Sequence, residues 1–203
     1  MNSSQNVDGK TIGILGLQGC ITPHFQHLEA LGATPKLVKY PKDLENISAL
    51  ILPGGESTTQ LKLLQKNEMM DALIQKSKDI PFWGICAGAI LMAKHITPHQ
   101  PSLGIMDISI HRNAYGRQVD SFMDAVCGQD VAFIRAPIIQ KVSSTLTIKT
   151  KHQNHPTWVI GENHMVTTFH PELSTSTPSV VHEYFIQHVQ SAFDKTEKSD
   201  TGR

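Results

Sequence analysis

Long apolar runs are missing from this 203-residue chain: no stretch approaches the roughly 20 residues that a membrane-spanning helix needs. An excess of charge is missing too. Eighteen basic and eighteen acidic residues cancel, which leaves no electrostatic footprint for nucleic acid or for an anionic membrane. Cysteine is scarce, and Cys20, Cys86 and Cys127 lie too far apart for a disulfide framework or a Cys-x-x-Cys metal pair. The polar start at residues 1–6 has no apolar core of a signal peptide. No His-Glu-x-x-His or comparable spacing is found among the histidines, so His152 and His155 are expected in solvated loops rather than at a metal. These absences describe a reduced, cytoplasmic protein in which a reactive thiol can persist.

What is present is an alternation. Residues 11–17 form a short apolar strand. Thr22-Pro23 opens a helix with Phe25, Leu28 and Leu31 on one face, and Gly32 ends it. Further strands are expected at 36–40 and 49–52. Ser57-Thr58-Thr59-Gln60 fits a capping box for a helix through Leu61 and Leu64, and Asn67 is placed as the cap of another carrying Met70, Leu73 and Ile74. Strands alternating with helices imply an α/β fold: a single open, mainly parallel sheet with helices on both faces. Between 104 and 168 the pattern changes to short strand-like runs at 105–110, 131–134, 146–150, 157–160 and 165–169, which suggest a small antiparallel extension. A last amphipathic helix spans 180–193. The domain therefore runs from 11 to 193, between a polar tail at 1–10 and a charged, disordered tail at 194–203. No internal repeat or linker divides it.

The chemistry concentrates in Pro81-Phe82-Trp83-Gly84-Ile85-Cys86-Ala87-Gly88. An apolar strand, a Gly-x-Cys-x-Gly turn and the helical 89–94 make a nucleophile elbow, in which the glycines permit a hard turn and a close approach. The sulfur then sits at a helix start, where unpaired N–H groups and the helix dipole favour an anion. Downstream, His170-Pro171-Glu172 offers a base with a carboxylate near enough to hold its ring, because residues two apart in an extended segment project the same way. Alone, the elbow cysteine is a small buried hydrophobe and His-Pro-Glu an ordinary turn. Together, Cys86, His170 and Glu172 describe a triad.

Pro53-Gly54-Gly55-Glu56-Ser57 follows a strand, where open α/β sheets place ligands. Paired glycines can aim N–H groups into a site, an oxyanion hole that the Ala87 N–H would complete; the same segment also reads as a plain turn with Ser57 as N-cap. Gly13-x-x-Gly16-x-x-Gly19 lacks the spacing of a dinucleotide fingerprint. Arg112 and Arg135 each suit a carboxylate, and each equally suits a surface ion pair. Cys20 follows a strand end near the site and is read as packing; Cys127 is read as inert. The rival readings are a cysteine hydrolase or redox sensor with a similar elbow, and a scaffold subunit with a vestigial site.

These residues resemble the class I, triad-type glutamine amidotransferases, and more closely the glutaminase subunits of pyridoxal 5′-phosphate synthases. The resemblance is carried by Ile14-Leu15-Gly16-Leu17-Gln18-Gly19, by Leu52-Pro53-Gly54-Gly55-Glu56-Ser57-Thr58-Thr59, by Gly84-Ile85-Cys86-Ala87-Gly88, by Phe133-Ile134-Arg135-Ala136-Pro137 and by Phe169-His170-Pro171-Glu172-Leu173. Its most specific block is Arg112-Asn113-Ala114-Tyr115-Gly116-Arg117-Gln118-Val119-Asp120-Ser121-Phe122. It implies a flavodoxin-like sheet and a Cys86, His170, Glu172 triad. It places Gly55, Glu56, Ser57, Arg112, Ile134 and Arg135 around bound L-glutamine, with Gly54, Gly55 and Ala87 at the oxyanion. It implies no metal and no organic cofactor. The implied partner is a separate synthase (lyase) subunit, joined in a hetero-oligomeric complex, that takes the ammonia to build pyridoxal 5′-phosphate. No nucleic acid or membrane is implied. The chain departs from the pattern at 151–163, which is rich in histidine, and at Cys20.

Overall fold

The computed structural model describes residues 9–112 and 121–200, with side chains as far as residue 194. In chain order the elements are β1 (Thr11–Leu15), α1 (Pro23–Glu29), β2 (Thr34–Val38), β3 (Ala49–Leu52), α2 (Ser57–Lys66), α3 (Met69–Lys76), β4 (Phe82–Ile85), α4 (Ala87–Met92), β5 (Ala93–Thr97), β6 (Met106–His111), β7 (Phe122–Val126), β8 (Gln129–Phe133), β9 (Ile138–Val142), β10 (Thr147–His152), β11 (His155–Ile160), β12 (His164–Thr167) and α5 (Val180–Asp200).

Seven strands form one sheet in the order β10-β11-β12-β4-β3-β1-β2. From β12 to β2 every neighbour pair is parallel, while β11 runs antiparallel to both β12 and β10. Successive side chains on a strand point to opposite faces, and that alternation sorts the core. Ile12, Ile14, Ala49, Ile51, Trp83 and Ile85 pack with Leu28 of α1 and with Val181, Phe185 and Val189 of α5. Leu50, Leu52, Phe82 and Val166 face Leu61 and Leu64 of α2, Leu73 of α3 and Leu91 of α4 on the other side. Both faces are therefore covered, which is why the central strands read as continuous apolar runs. Two smaller sheets, β5-β6-β9 and the β7-β8 hairpin, lie beside it.

The chain steps from β1 outward to β2, then back across to β3 and β4. That reversal opens a crevice at the carboxyl ends of β1 and β3, the position where such sheets bind ligands. The loops after β1, β3, β4 and β12 all end there.

Several boundaries differ from the sequence reading, each for a local reason. The N-cap of α2 is Glu56, whose carboxylate accepts from the Thr58 N–H at 3.1 Å; Ser57 is the first helical residue. Asn67 ends α2, and Glu68, in the left-handed region at φ 57°, precedes α3. The elbow helix stops at Met92 rather than 94, because Ala93 turns extended and the β-branched Ile96 and Thr97 continue as β5. β7 and β9 were not anticipated. His152 and His155 are not in solvated loops: they face each other at the closing pair of the β10-β11 hairpin. Gln153 and Asn154 make its two-residue turn, both at positive φ, the requirement that asparagine helps to meet. The helix α5 runs on to Asp200 where a disordered tail was expected, since no glycine or proline intervenes before Gly202. The tails at 1–8 and 201–203 lie outside the described residues.

The elbow is packed backbone against backbone. A Cβ on Gly88 would sit 2.0 Å from the Leu52 carbonyl oxygen, and one on Gly84 would sit 2.7 Å from the backbone of Gly88. The two glycines thus let α4 seat directly on β3 and β4. Gly88→Ala forces that helix away from backbone that cannot give, and urea unfolding should register a loss of at least about 2 kcal/mol. A parental midpoint would show that α4 is not seated there.

Candidate active site

Strand β4 delivers Cys86 into a turn that few side chains adopt: its backbone is at φ 49° and ψ −100°. Such strain persists only where neighbours fix it. Here the Cys86 N–H donates to the Thr167 carbonyl of β12 at 2.8 Å, and the Cys86 carbonyl accepts from the Ile90 N–H at 3.2 Å. The side chain is nearly buried and its Sγ lies 3.8 Å from the Ile134 carbonyl oxygen. Ala87, as the first residue of α4, carries an N–H without an intrahelical partner.

His170 follows β12 and is braced by an isolated bridge to β8, its N–H donating to Ala132 O at 2.8 Å. Its Nδ1 lies 2.7 Å from Glu172 Oε1. The contact is the one anticipated, but its backbone cause is different: Pro171–Leu173 is a 3-10 turn, not an extended segment, and the turn brings the carboxylate under the ring. Burial alone would lower the His170 pKa. Hydrogen bonds to Cys86 and Glu172, with the charges of both, outweigh it and hold the imidazole up to about 10. Burial opposes ionisation of Glu172 as well, yet the His170 hydrogen bond and the nearby histidines keep its carboxyl below the usual range. A thiol, an imidazole and a buried carboxylate in this order can move a proton off sulfur while the carboxylate balances the imidazolium.

The turn after β3 closes the site. Gly54 packs flat against the His170 ring, where a Cβ would come within 2.3 Å of Cε1. Its carbonyl accepts from the Cys20 N–H at 2.9 Å, which fixes the Gly54-Gly55 peptide in one orientation. Two glutamines that the sequence reading did not assign hold this turn to the loop after β1. Gln18 Oε1 accepts from the Glu56 N–H at 3.0 Å, and Gln60 Nε2 donates to Gln18 O at 2.9 Å and to Pro53 O at 3.0 Å. Gln60 is fully buried. A polar residue on the same helical face as Leu61 and Leu64 was the available signal.

Gly54, Gly55, Glu56, Ser57, Cys86, Ala87, Ile134, Arg135 and His170 all line one open cavity of about 240 Å³, with Gly19, Cys20, Ile90 and Pro137. This is below the ~300–1,000 Å³ of pockets for drug-sized ligands and suits a small polar molecule. Arg112 is set back from the wall. Its Nη1 donates to Gln100 Oε1 at 2.6 Å, and the same oxygen accepts from Ser57 Oγ at 3.2 Å. Gln100 is thus a second-layer link that sequence reasoning missed. Glu56 is held ionised chiefly by the Thr58 hydroxyl, against partial burial, with the Thr58 N–H and the charges of Arg135 and Arg112 adding to it. The rest of the specific block, residues 113–120, lies outside the described residues. Cys20, read as packing, faces the cavity, and burial together with the nearby Glu172 charge pushes its thiol up to about 12. Cys127 is exposed. Among the described residues there is no group of three or more side chains able to hold a metal ion, and no helix is long and apolar enough to cross a membrane.

The chain is 39% identical over 188 residues to the pyridoxal 5′-phosphate synthase subunit PdxT of Thermotoga neapolitana, covering 88% of this chain and 99% of that protein. It is 42% identical over 190 residues to the PdxT of Solibacter usitatus, at 87% and 98% coverage. A crystal structure described as a glutamine amidotransferase superposes with a TM-score of 0.80 at 33% identity, over 88% of this chain and 98% of that one. PurLQS from Thermotoga maritima, at 14% identity and a TM-score of 0.59, shares the fold alone. The profile of the SNO glutamine amidotransferase family matches residues 14–191, and with the relatives above it shows that this chain belongs to that family of enzymes.

Proposed function

We propose that the chain hydrolyses the side-chain amide of L-glutamine to L-glutamate and ammonia, and that a pyridoxal 5′-phosphate synthase subunit consumes the ammonia within a hetero-oligomeric complex. The observation that carries the reading is the 2.7 Å contact between His170 Nδ1 and Glu172 Oε1 beside a cavity that Cys86 also lines. The names of the PdxT relatives support the partner. We read the sheet as the flavodoxin-like framework of the class I amidotransferases, with β10 and β11 as its antiparallel extension, and the setting as cytoplasmic.

In this reaction Cys86 Sγ attacks the amide carbon, and its proton passes to His170. The Ala87 N–H and an N–H of the Gly54-Gly55 turn stabilise the oxyanion. His170 then protonates the departing nitrogen, leaving a γ-glutamyl thioester and free ammonia. Water attacks the thioester, His170 takes its proton, and glutamate leaves as the thiol is restored. Glu172 orients the imidazole and balances its charge. Glu56 suits the substrate ammonium, Arg135 and, through Gln100 and Ser57, Arg112 suit its carboxylate, and Gly55 and Ile134 frame the side chain. No metal or organic cofactor takes part.

Cys86→Ala should lower ammonia release by more than about 10⁴-fold with unfolding unchanged, while Cys127→Ala stays active. Glu172→Gln keeps the shape and loses the charge, so its rate should fall on the order of 10²- to 10⁴-fold, and His170→Asn further. Parental turnover by either triad variant would end the assignment. The bond from Cys20 N–H to the Gly54 carbonyl also motivates a switch: two glycines tolerate either peptide orientation, and one missing oxyanion donor costs about 10²- to 10³-fold. Steady-state ammonia release should therefore rise steeply when the synthase subunit is added. Equal rates with and without it would mean a preformed hole.

A further inference from the structure

Behind Glu172 lies a second cluster of ionisable groups that the proposed reaction does not use. His24 and His27 of α1 and His182 of α5 are each fully buried, against Trp83 and against one another. The His27 and His182 rings stack at 4.4 Å, and Trp83 meets the edges of His182 at 4.9 Å and His24 at 6.0 Å. Three imidazoles in the middle of an apolar layer are costly unless their hydrogen bonds are arranged for a purpose.

Those bonds limit where each proton can sit, starting from Ser179. The backbone N–H of Ser179 donates to His27 Nδ1 at 3.2 Å, so the proton of His27 is on Nε2, which lies 3.1 Å from the Glu172 carbonyl oxygen. The Ser179 hydroxyl oxygen accepts from the His182 N–H at 3.3 Å, capping α5, and stands 2.7 Å from His182 Nδ1. His182 Nε2 in turn lies 2.9 Å from His24 Nδ1. Two proton directions satisfy these contacts. In one, the hydroxyl donates to His182 Nδ1, His182 Nε2–H donates to His24 Nδ1, and His24 carries its proton on Nε2. In the other every arrow is reversed, and His24 presents a bare Nε2 lone pair.

The carboxylate selects between them. Glu172 Oε2 and His24 Nε2 are both buried and, among the described residues, neither has a hydrogen-bond partner. Oε1 is already taken by His170. The two atoms are not hydrogen-bonded to each other, but the Glu172 charge acts on His24: a lone pair near a buried anion is repelled, whereas an N–H there is attracted to an oxygen with lone pairs still open. Burial keeps His24 and His182 neutral at pH 7, which a relay of single protons requires. Glu172 is also the strongest charge acting on His24.

We propose that His24 is a positioning residue for the triad: held by the Ser179–His182 relay as the Nε2–H tautomer, it donates to Glu172 Oε2 through one water or after a small side-chain shift, and so sets the carboxylate that orients His170. This rests on the glutaminase reading above. The ionisable groups around His24 are Glu172, His27, His170 and His182, and the Cys20 thiol lies near enough to Glu172 to feel its charge.

Two variants and one spectrum test it. His24→Phe keeps a ring against Trp83 and removes the donor. His24→Gln keeps an amide that can accept from His182 Nε2–H and donate to Glu172. With the synthase subunit present, His24→Phe should lower kcat for ammonia release roughly tenfold, the worth of one hydrogen bond, with the glutamine KM within about twofold. The acid limb of its kcat profile should move to higher pH, because a carboxylate without that donor takes up a proton more readily. His24→Gln should recover most of the rate and the parental acid limb. Long-range ¹⁵N–¹H spectra of the parent should show His24, His27 and His182 all as Nε2–H tautomers. A folded His24→Phe with parental kcat and acid limb, a His24→Gln as slow as His24→Phe, or an Nδ1–H tautomer at His24 would each overturn the proposal. Should His24→Phe not fold, the spectrum and His24→Gln decide. A parent that releases no ammonia from glutamine would sink the glutaminase reading instead, and the tautomer measurement would still stand.

Discussion

A carboxylate sealed away from water is the constraint on which this molecule turns. Glu172 is 1% exposed, and an ion at such a depth is tolerated only with partners in place: removing one partner of a buried pair costs about 3–5 kcal/mol. His170 is the partner on one side. The backbone of Glu172 is tied down as well, its carbonyl lying 3.1 Å from His27 Nε2. Because His170 reaches both Glu172 and Cys86, the charge buried for stability is also the charge that the proposed proton transfer needs. The cost of the site and its chemistry are thus the same interaction.

The sheet brings these groups together without any of them being near in sequence. Cys86 follows β4, His170 follows β12, the Gly54-Gly55 turn follows β3 and Cys20 follows β1, and all four strands are parallel neighbours or next to one. Parallel strands end on the same side, so four loops converge in one crevice. The elbow works because Gly88 allows α4 to touch the Leu52 carbonyl, and Gly54 works because a bare backbone can lie against the His170 ring. Where side chains are missing, other groups have moved in.

Much of this was legible in the residues. Apolar runs punctuated by glycine located β1, β3 and β4 to within two residues at their ends, since strands buried on both faces carry little else. The tight turn at Cys86 and the contact of His170 with Glu172 were legible because flanking glycines mark the one and a two-residue spacing allows the other. What escaped notice was set by partners distant in sequence. Gln60 and Gln100 look like surface residues until their partners are known: the Gln18 and Pro53 carbonyls that accept from Gln60, and the Ser57 hydroxyl and Arg112 guanidinium that donate to Gln100. The same holds for His24 and His182, which are 158 apart in the chain and 2.9 Å apart in space. Glu56 displaced Ser57 as the cap of α2 because its carboxylate reaches both the N–H and the hydroxyl of Thr58, a choice that spacing alone does not make. The end of α5 was misplaced because apolar periodicity marks where a helix stops packing, not where it stops.

The central claim is that Cys86 forms a covalent bond to the substrate. It is tested most directly by quenching the complex with acid during glutamine turnover and mapping the chain by mass spectrometry. A γ-glutamyl group on the peptide carrying Cys86 is the expected result; an adduct on Cys20 in its place, or steady ammonia release with no acylated Cys86 at any time point, would contradict the account.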